Sequence, residues 1–144
     1  MLSVKILCVG NLKEDYWRAA CNEYIKRLSR FCRTEIVECA ESSPEKEKTE
    51  LEKHLSGYLI ALCVEGKKLS SGNFAHLMED IPLRNSRLTF VIGGSDGLSE
   101  EIKAKADLRL SFSDMTFPHQ LMRVILLEQI YRAFTINNNI RYHK

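Results

Sequence analysis

Three short apolar runs, each closing near a glycine, most constrain what this chain can become: Val4–Val9 before Gly10, Tyr58–Val64 before Gly66, and Leu88–Ile92 before Gly93. Lys5 is the only charge within them, so they read as strands of a buried sheet rather than as solvent-facing hairpins. Thr34–Cys39, where Ile36 alternates with charged neighbours, and Leu108–Phe112 read as two further strands. The segments between carry a different period. From Lys13 to Phe31, apolar residues recur every three or four positions at Trp17, Ala20, Cys21, Tyr24, Leu28 and Phe31, which predicts a helix with one buried face. Ser42-Ser43-Pro44 opens an exposed, Glu/Lys-rich helix over Glu45–Lys53. Ser71 is the expected cap of a helix running to Asp80, ended by Pro82, and Ser99 that of a short helix with Glu100 and Glu101 at its positive end. After Pro118, the residues Gln120–Phe134 form the strongest helical stretch. Strands alternating with helices imply an α/β fold: a mostly parallel sheet with helices on both faces, built from residues 1–144 as one domain.

Composition removes several function classes. Apolar residues make up 44% and charged residues 28% of the chain, which excludes a disordered polymer. No apolar run approaches the roughly 20 residues of a membrane span. The start, Met1-Leu2-Ser3-Val4-Lys5, has no leader-like pattern, and a cytoplasmic protein is expected. Cys8, Cys21, Cys32, Cys39 and Cys63 are odd in number, never form C-x-x-C, and fit reduced core thiols; the four histidines are scattered, so no metal is expected. The net charge of +2 is unevenly spread. Residues 1–33 carry seven basic against three acidic groups and residues 118–144 four against one, whereas residues 35–53 carry three against seven. Basic ends suit a polyanionic partner, although a solvated charged face gives the same counts.

Three features carry potential chemistry. Gly93-Gly94-Ser95-Asp96-Gly97 follows a strand and precedes a capped helix, the place where open parallel sheets bind ligands. It lacks the G-x-G-x-x-G and P-loop patterns, so a nucleotide site and a ligand-free tight turn both satisfy it. Phe112-Ser113-Asp114-Met115-Thr116-Phe117-Pro118 joins apolar side chains, hydroxyls and a fixed bend; it suits an adenine wall, or a helix start capped by Ser113 or Thr116. His119, Arg123, Arg132, Tyr142 and His143 are polar groups in or after the last helix, with His119 and Arg123 four apart on one face.

These features occur together and in order. The runs Phe90-Val91-Ile92-Gly93-Gly94, Gly97-Leu98-Ser99, Leu110–Arg123 and Leu127–Phe134 through Tyr142-His143-Lys144 resemble the SPOUT-class methyltransferases that act on N3 of a pseudouridine in large-subunit ribosomal RNA. Val9–Lys13 and Tyr24–Arg30 extend the likeness to nearly the whole chain. The resemblance implies a trefoil knot near the C-terminus, a homodimer, and the ribosome with its 23S rRNA as partner. It implies S-adenosylmethionine bound at Leu62, Gly93 and the segment Phe112, Ser113, Asp114, Met115, Thr116 and Phe117. Cys63 stands where the family often has Asp, Asn139 and Arg141 where it often has Gly and Pro, and the acidic stretch before Tyr58 is short. For such a reaction Arg123 or Arg132 would favour the base's anionic form, and His119 or His143 would position the base or take its proton. Tyr142 would stack on or orient the base. A nucleotide-dependent oxidoreductase and a non-catalytic ribosome-associated module are the alternatives.

Overall fold

The computed structural model describes residues 1–144. The three apolar runs become β1 (Ser3–Val9), β3 (Tyr58–Lys68) and β4 (Arg87–Ile92), flanked by β2 (Arg33–Cys39) and β5 (Leu108–Ser111). All neighbours pair in parallel in the order β2-β1-β4-β3-β5. The α-helices α1 (Asp15–Leu28), α2 (Pro44–Glu52), α3 (Ser71–Asp80), α4 (Glu100–Lys105) and α5 (His119–Asn137) connect the strands and close the chain.

Strand period decides which side chain meets which layer. Val4, Ile6 and Cys8 of β1, with Leu88, Phe90 and Ile92 of β4, face one side and join Cys21, Leu28, Phe74, Met78, Leu126 and Ile130 from α1, α3 and α5. Leu7, Val9, Leu59, Ala61 and Val91 face the other, under Leu51 of α2 and Ile102 of α4. A sheet covered twice explains the uninterrupted apolar runs.

Helix α5 is about 28 Å long at 1.5 Å per residue. It buries Arg123, Leu126, Leu127, Ile130 and Ala133 against α1 and α3. Two polar contacts fix it along α3: Ser71 Oγ donates to Gln129 Oε1 at 2.8 Å, and Asn137 Nδ2 to the Ala75 carbonyl at 2.9 Å.

Several local expectations change. Ser70, not Ser71, caps α3, because Ser70 has the extended backbone that aims its hydroxyl at the Asn73 amide. α3 does end at Asp80 ahead of Pro82, which sits in a following 3-10 turn, Ile81–Leu83, where its missing N–H costs nothing. β5 ends at Ser111, one residue early, and α5 begins at His119 with Pro118 as its cap, so neither Ser113 nor Thr116 caps it. β3 runs through Gly66 to Lys68 instead of stopping there. Leu110 of β5 pairs with both Leu62 and Lys67, so residues 63–66 loop out of the ladder as a long bulge. Gly66 makes that possible, since a Cβ there would lie 2.8 Å from the Leu110 backbone.

The end of α5 explains the asparagine at position 139. Asn139 has φ 56°, its N–H donates to the Ile136 carbonyl at 3.2 Å, and Ile140 N–H donates to the Thr135 carbonyl at 2.9 Å. This is a Schellman closure, which wants a residue tolerant of the left-handed region; asparagine substitutes for glycine there. Asn139→Gly should therefore leave stability unchanged or slightly raised, while Asn139→Ala costs about 1 kcal/mol, both measured by urea unfolding.

Candidate active site

The bulge in β3 opens a cleft at the carboxyl ends of β3, β4 and β5. Its volume is about 230 Å³, and Leu62, Cys63, Val64 and Glu65 form one wall. The glycine turn forms the floor. Gly97 N–H donates to the Gly94 carbonyl at 3.0 Å, Gly97 takes φ 74°, and a Cβ on Gly93 would lie 2.5 Å from the Gly97 carbonyl carbon. Gly93 is thus required by the turn's own folding, which presents backbone rather than side chains to the cleft.

Residues 112–117 form the opposite wall. They make no backbone-to-backbone hydrogen bond. Their local order comes from Ser113, whose carbonyl accepts from Ser111 Oγ at 3.0 Å and whose Oγ accepts from Met115 N–H at 3.0 Å. The other backbone groups of this segment are free to read the edge of a bound base, and Leu62, Leu110 and Met122 supply apolar surface for a ring.

Of the sequence-predicted binding residues, Leu62, Gly93, Phe112, Ser113, Met115, Thr116 and Phe117 line the cleft, as does His119. Asp114 does not: it points outward and pairs with Lys68 Nζ at 2.5 Å. Cys63, Glu65, Lys103 and Met122 line the cleft without having been candidates for binding in the sequence. Glu65 and Lys103 form an ion pair at 2.5 Å. Their hydrogen bond holds the Glu65 carboxyl below its ordinary range and the Lys103 ammonium above, so both are charged at neutral pH.

The five polar residues of the C-terminal region are not brought together. Arg123 turns away from the cleft and is 1% exposed; it donates to Glu38 Oε2 at 2.5 Å and to the Gly10 carbonyl at 3.2 Å. Its charge is compensated by Glu38, so the spacing it shares with His119 reflects a tie to the sheet. Arg132, Tyr142 and His143 gather further along. Arg132 is held by both Glu128 carboxylate oxygens, its guanidinium lies 4.9 Å from the Tyr142 ring centroid, and its NH1 is 3.0 Å from His143 Nδ1. Tyr142 packs edge-on to Tyr131 and donates to Glu128 Oε2 at 3.4 Å. Burial first, and Glu128 second, push the Tyr142 phenol above its usual range and keep it a donor. This cluster starts nine residues beyond His119 and reaches thirteen, about 14 to 20 Å along α5.

The family model described as a predicted SPOUT methyltransferase matches residues 2–143. The chain belongs to the SPOUT methyltransferase family. It is 48% identical to the ribosomal RNA large subunit methyltransferase H of Clostridioides difficile (strain 630), with 99% of this chain and 100% of that protein covered. The namesake from Oenococcus oeni is 46% identical, with 100% of both covered. Among solved structures, a probable methylase family protein from Haemophilus influenzae Rd KW20 superposes with TM-score 0.58 at 12% identity, covering 98% of this chain and 70% of that one. The A. aeolicus TrmH/SpoU tRNA modifying enzyme gives TM-score 0.51 at 13% identity, covering 94% and 77%. These two likenesses share the SPOUT fold across a wide divergence in sequence.

The site geometry sets two outcomes. Arg123→Met should destabilise the fold by about 2 kcal/mol through loss of its hydrogen bonds to the half-exposed Glu38 and to the Gly10 carbonyl, with Arg123→Lys failing to restore it because the ammonium lacks the two-armed geometry; thermal unfolding reads both. Burial pushes the Cys8 thiol up to about 12, and Cys21, Cys32 and Cys39 are likewise raised by burial and enclosed; Cys63 is raised too, by burial and by Glu65, but it is only half-buried and lines the cleft. Native protein should therefore show one slowly titrating thiol with Ellman's reagent at pH 8, lost in Cys63→Ser, and all five after denaturation.

Proposed function

We propose that this SPOUT protein transfers the methyl group of S-adenosylmethionine to N3 of a pseudouridine in a stem-loop of 23S ribosomal RNA, working as a homodimer on the assembled ribosome in the cytoplasm. The observation that carries this reading is end-to-end identity with relatives bearing one rRNA methyltransferase name. The cleft fits the donor: an apolar slot for a ring, free backbone groups along residues 112–117, and one acid–base pair on the wall. No helix is long and apolar enough to cross a membrane. The resemblance also implies the trefoil knot. A path supports it: residues 112–118 leave the β5 edge and deliver α5 beside α1, across the sheet.

The donor supplies an electrophilic methyl group, so the protein's task is alignment and removal of the N3 proton. Arg132 has only donors to offer, so in its contact with His143 the ring Nδ1 accepts and Nε2 carries the hydrogen. In that tautomer His143 is a hydrogen-bond donor to a base carbonyl rather than a proton acceptor. His119, at the cleft and 3.9 Å from Glu41, is left as the group that takes the proton. Tyr142 stacks on the base, and Arg132, whose charge Glu128 largely compensates, acts on it by orienting His143 and the Tyr142 ring. Because about 14 to 20 Å of helix separates this cluster from the cleft, the tail of one protomer serves the cleft of the other.

Removing Tyr142–Lys144 should leave S-adenosylhomocysteine binding intact by calorimetry and lower methyl transfer to ribosomes lacking this modification by at least about a hundredfold. Mixing that truncated subunit with a His119→Ala subunit should restore part of the activity. Wild-type protein that binds the donor but never methylates such ribosomes would leave the non-catalytic module as the correct reading.

A further inference from the structure

The cleft wall carries two ionic side chains, Glu65 from the β3 bulge and Lys103 from α4. Everything else on it is apolar, backbone, hydroxyl, thiol or the imidazole of His119. The two face each other, Lys103 Nζ donating to Glu65 Oε1 at 2.5 Å, while Glu100 stands 3.5 Å from the same ammonium without lining the cleft. The Lys103 side chain is 13% exposed, so its carbon stem is packed and its ammonium is fixed in place. Glu65 is 54% exposed and retains carboxylate surface toward solvent and cleft. An ordinary surface pair contributes little to stability and has no reason to sit in a binding wall.

An acid and a base side by side on an otherwise uncharged wall complement a ligand bearing a carboxylate and an ammonium on one carbon. We propose that Lys103 and Glu65 bind, respectively, the α-carboxylate and the α-ammonium at the amino-acid end of the methyl donor, so that the cleft selects adenosyl compounds that retain an amino-acid group. The proposal rests on the donor reading given above. Four alternating charges form a closed, neutral set in which each group keeps its ionic partner. Anchoring that end also fixes the direction in which the sulfonium presents its methyl group.

Two probes separate this role from a rim clasp: S-adenosylhomocysteine, which has the amino-acid group, and 5′-methylthioadenosine, which keeps the adenosine and thioether but lacks it. Calorimetry on the wild type should show S-adenosylhomocysteine binding at least about tenfold more tightly, the scale of one hydrogen bond to a charged group. Lys103→Met and Glu65→Gln should each lose about that factor for S-adenosylhomocysteine and bind 5′-methylthioadenosine as the wild type does, which also reports that the cleft is folded. The exchanged pair, Glu65→Lys with Lys103→Glu, preserves the ion pair and should still lose the preference. If the variants weaken both compounds alike, or the exchanged pair restores binding, the two residues merely close the rim and the proposal fails. Equal wild-type affinity for the two compounds overturns it while sparing the donor site; a wild type that binds neither compound overturns both.

Discussion

A single buried guanidinium determines where the last helix lies. Apolar contacts hold α5 against α1 and α3, but such contacts are non-directional and leave its position along its own axis weakly defined. Arg123 supplies direction, reaching from the first turns of α5 to the Gly10 carbonyl beyond β1 and to Glu38 of β2. Its Nε has no partner, and a buried ion pair is seldom the most stabilising filling for such a space. What it provides is register. Since residues 112–117 are fixed at one end by β5 and at the other by α5, setting α5 also sets the wall of the cleft.

The same helix spaces the two halves of the proposed chemistry. Its first turn contributes His119 and Met122 to the cleft, while its second half carries Glu128, Tyr131 and Arg132. Glu128 gathers Arg132, Gln129 and Tyr142, and the Glu128 carboxylate holds the Arg132 guanidinium above its ordinary value. The tail is therefore a pre-assembled, nearly neutral cluster, with the His143 ring oriented by Arg132 before any RNA arrives. Asn139 turns the chain back to make this possible.

The sheet and its two helical layers were legible because three strands are short apolar runs and α1, α3 and α5 carry apolar stripes, both local patterns. Much of the lining of the cleft was legible too, through the combination of glycine turn and Phe112–Phe117 rather than through either alone. What escaped depended on long-range pairing. Nothing near Lys103 signals that Glu65, 38 positions earlier, lies opposite it. Asp114 reads like its neighbours until Lys68 draws it outward. Arg123 carried a usable clue, since it falls at the spacing of the buried Leu126, Leu127 and Ile130. A charged residue on that stripe is expected to be buried and paired, and its candidacy as a group acting on a substrate base runs against its own periodicity.

The bulge between Leu62 and Lys67 has a further consequence. The cleft exists because four residues of β3 have no counterpart on β5, with Leu110 serving as partner on both sides of the gap. Its depth is thus counted in whole residues. Side-chain replacement can repaint the lining, but adding or removing one residue there would rotate every later side chain of β3 to the opposite face or break its pairing. A change of length here is therefore less tolerable than most changes of side chain, so the spacing from Leu62 to Lys67 is a dimension of the site in its own right, beside the Gly66 that permits the bulge and the Glu65 that it carries.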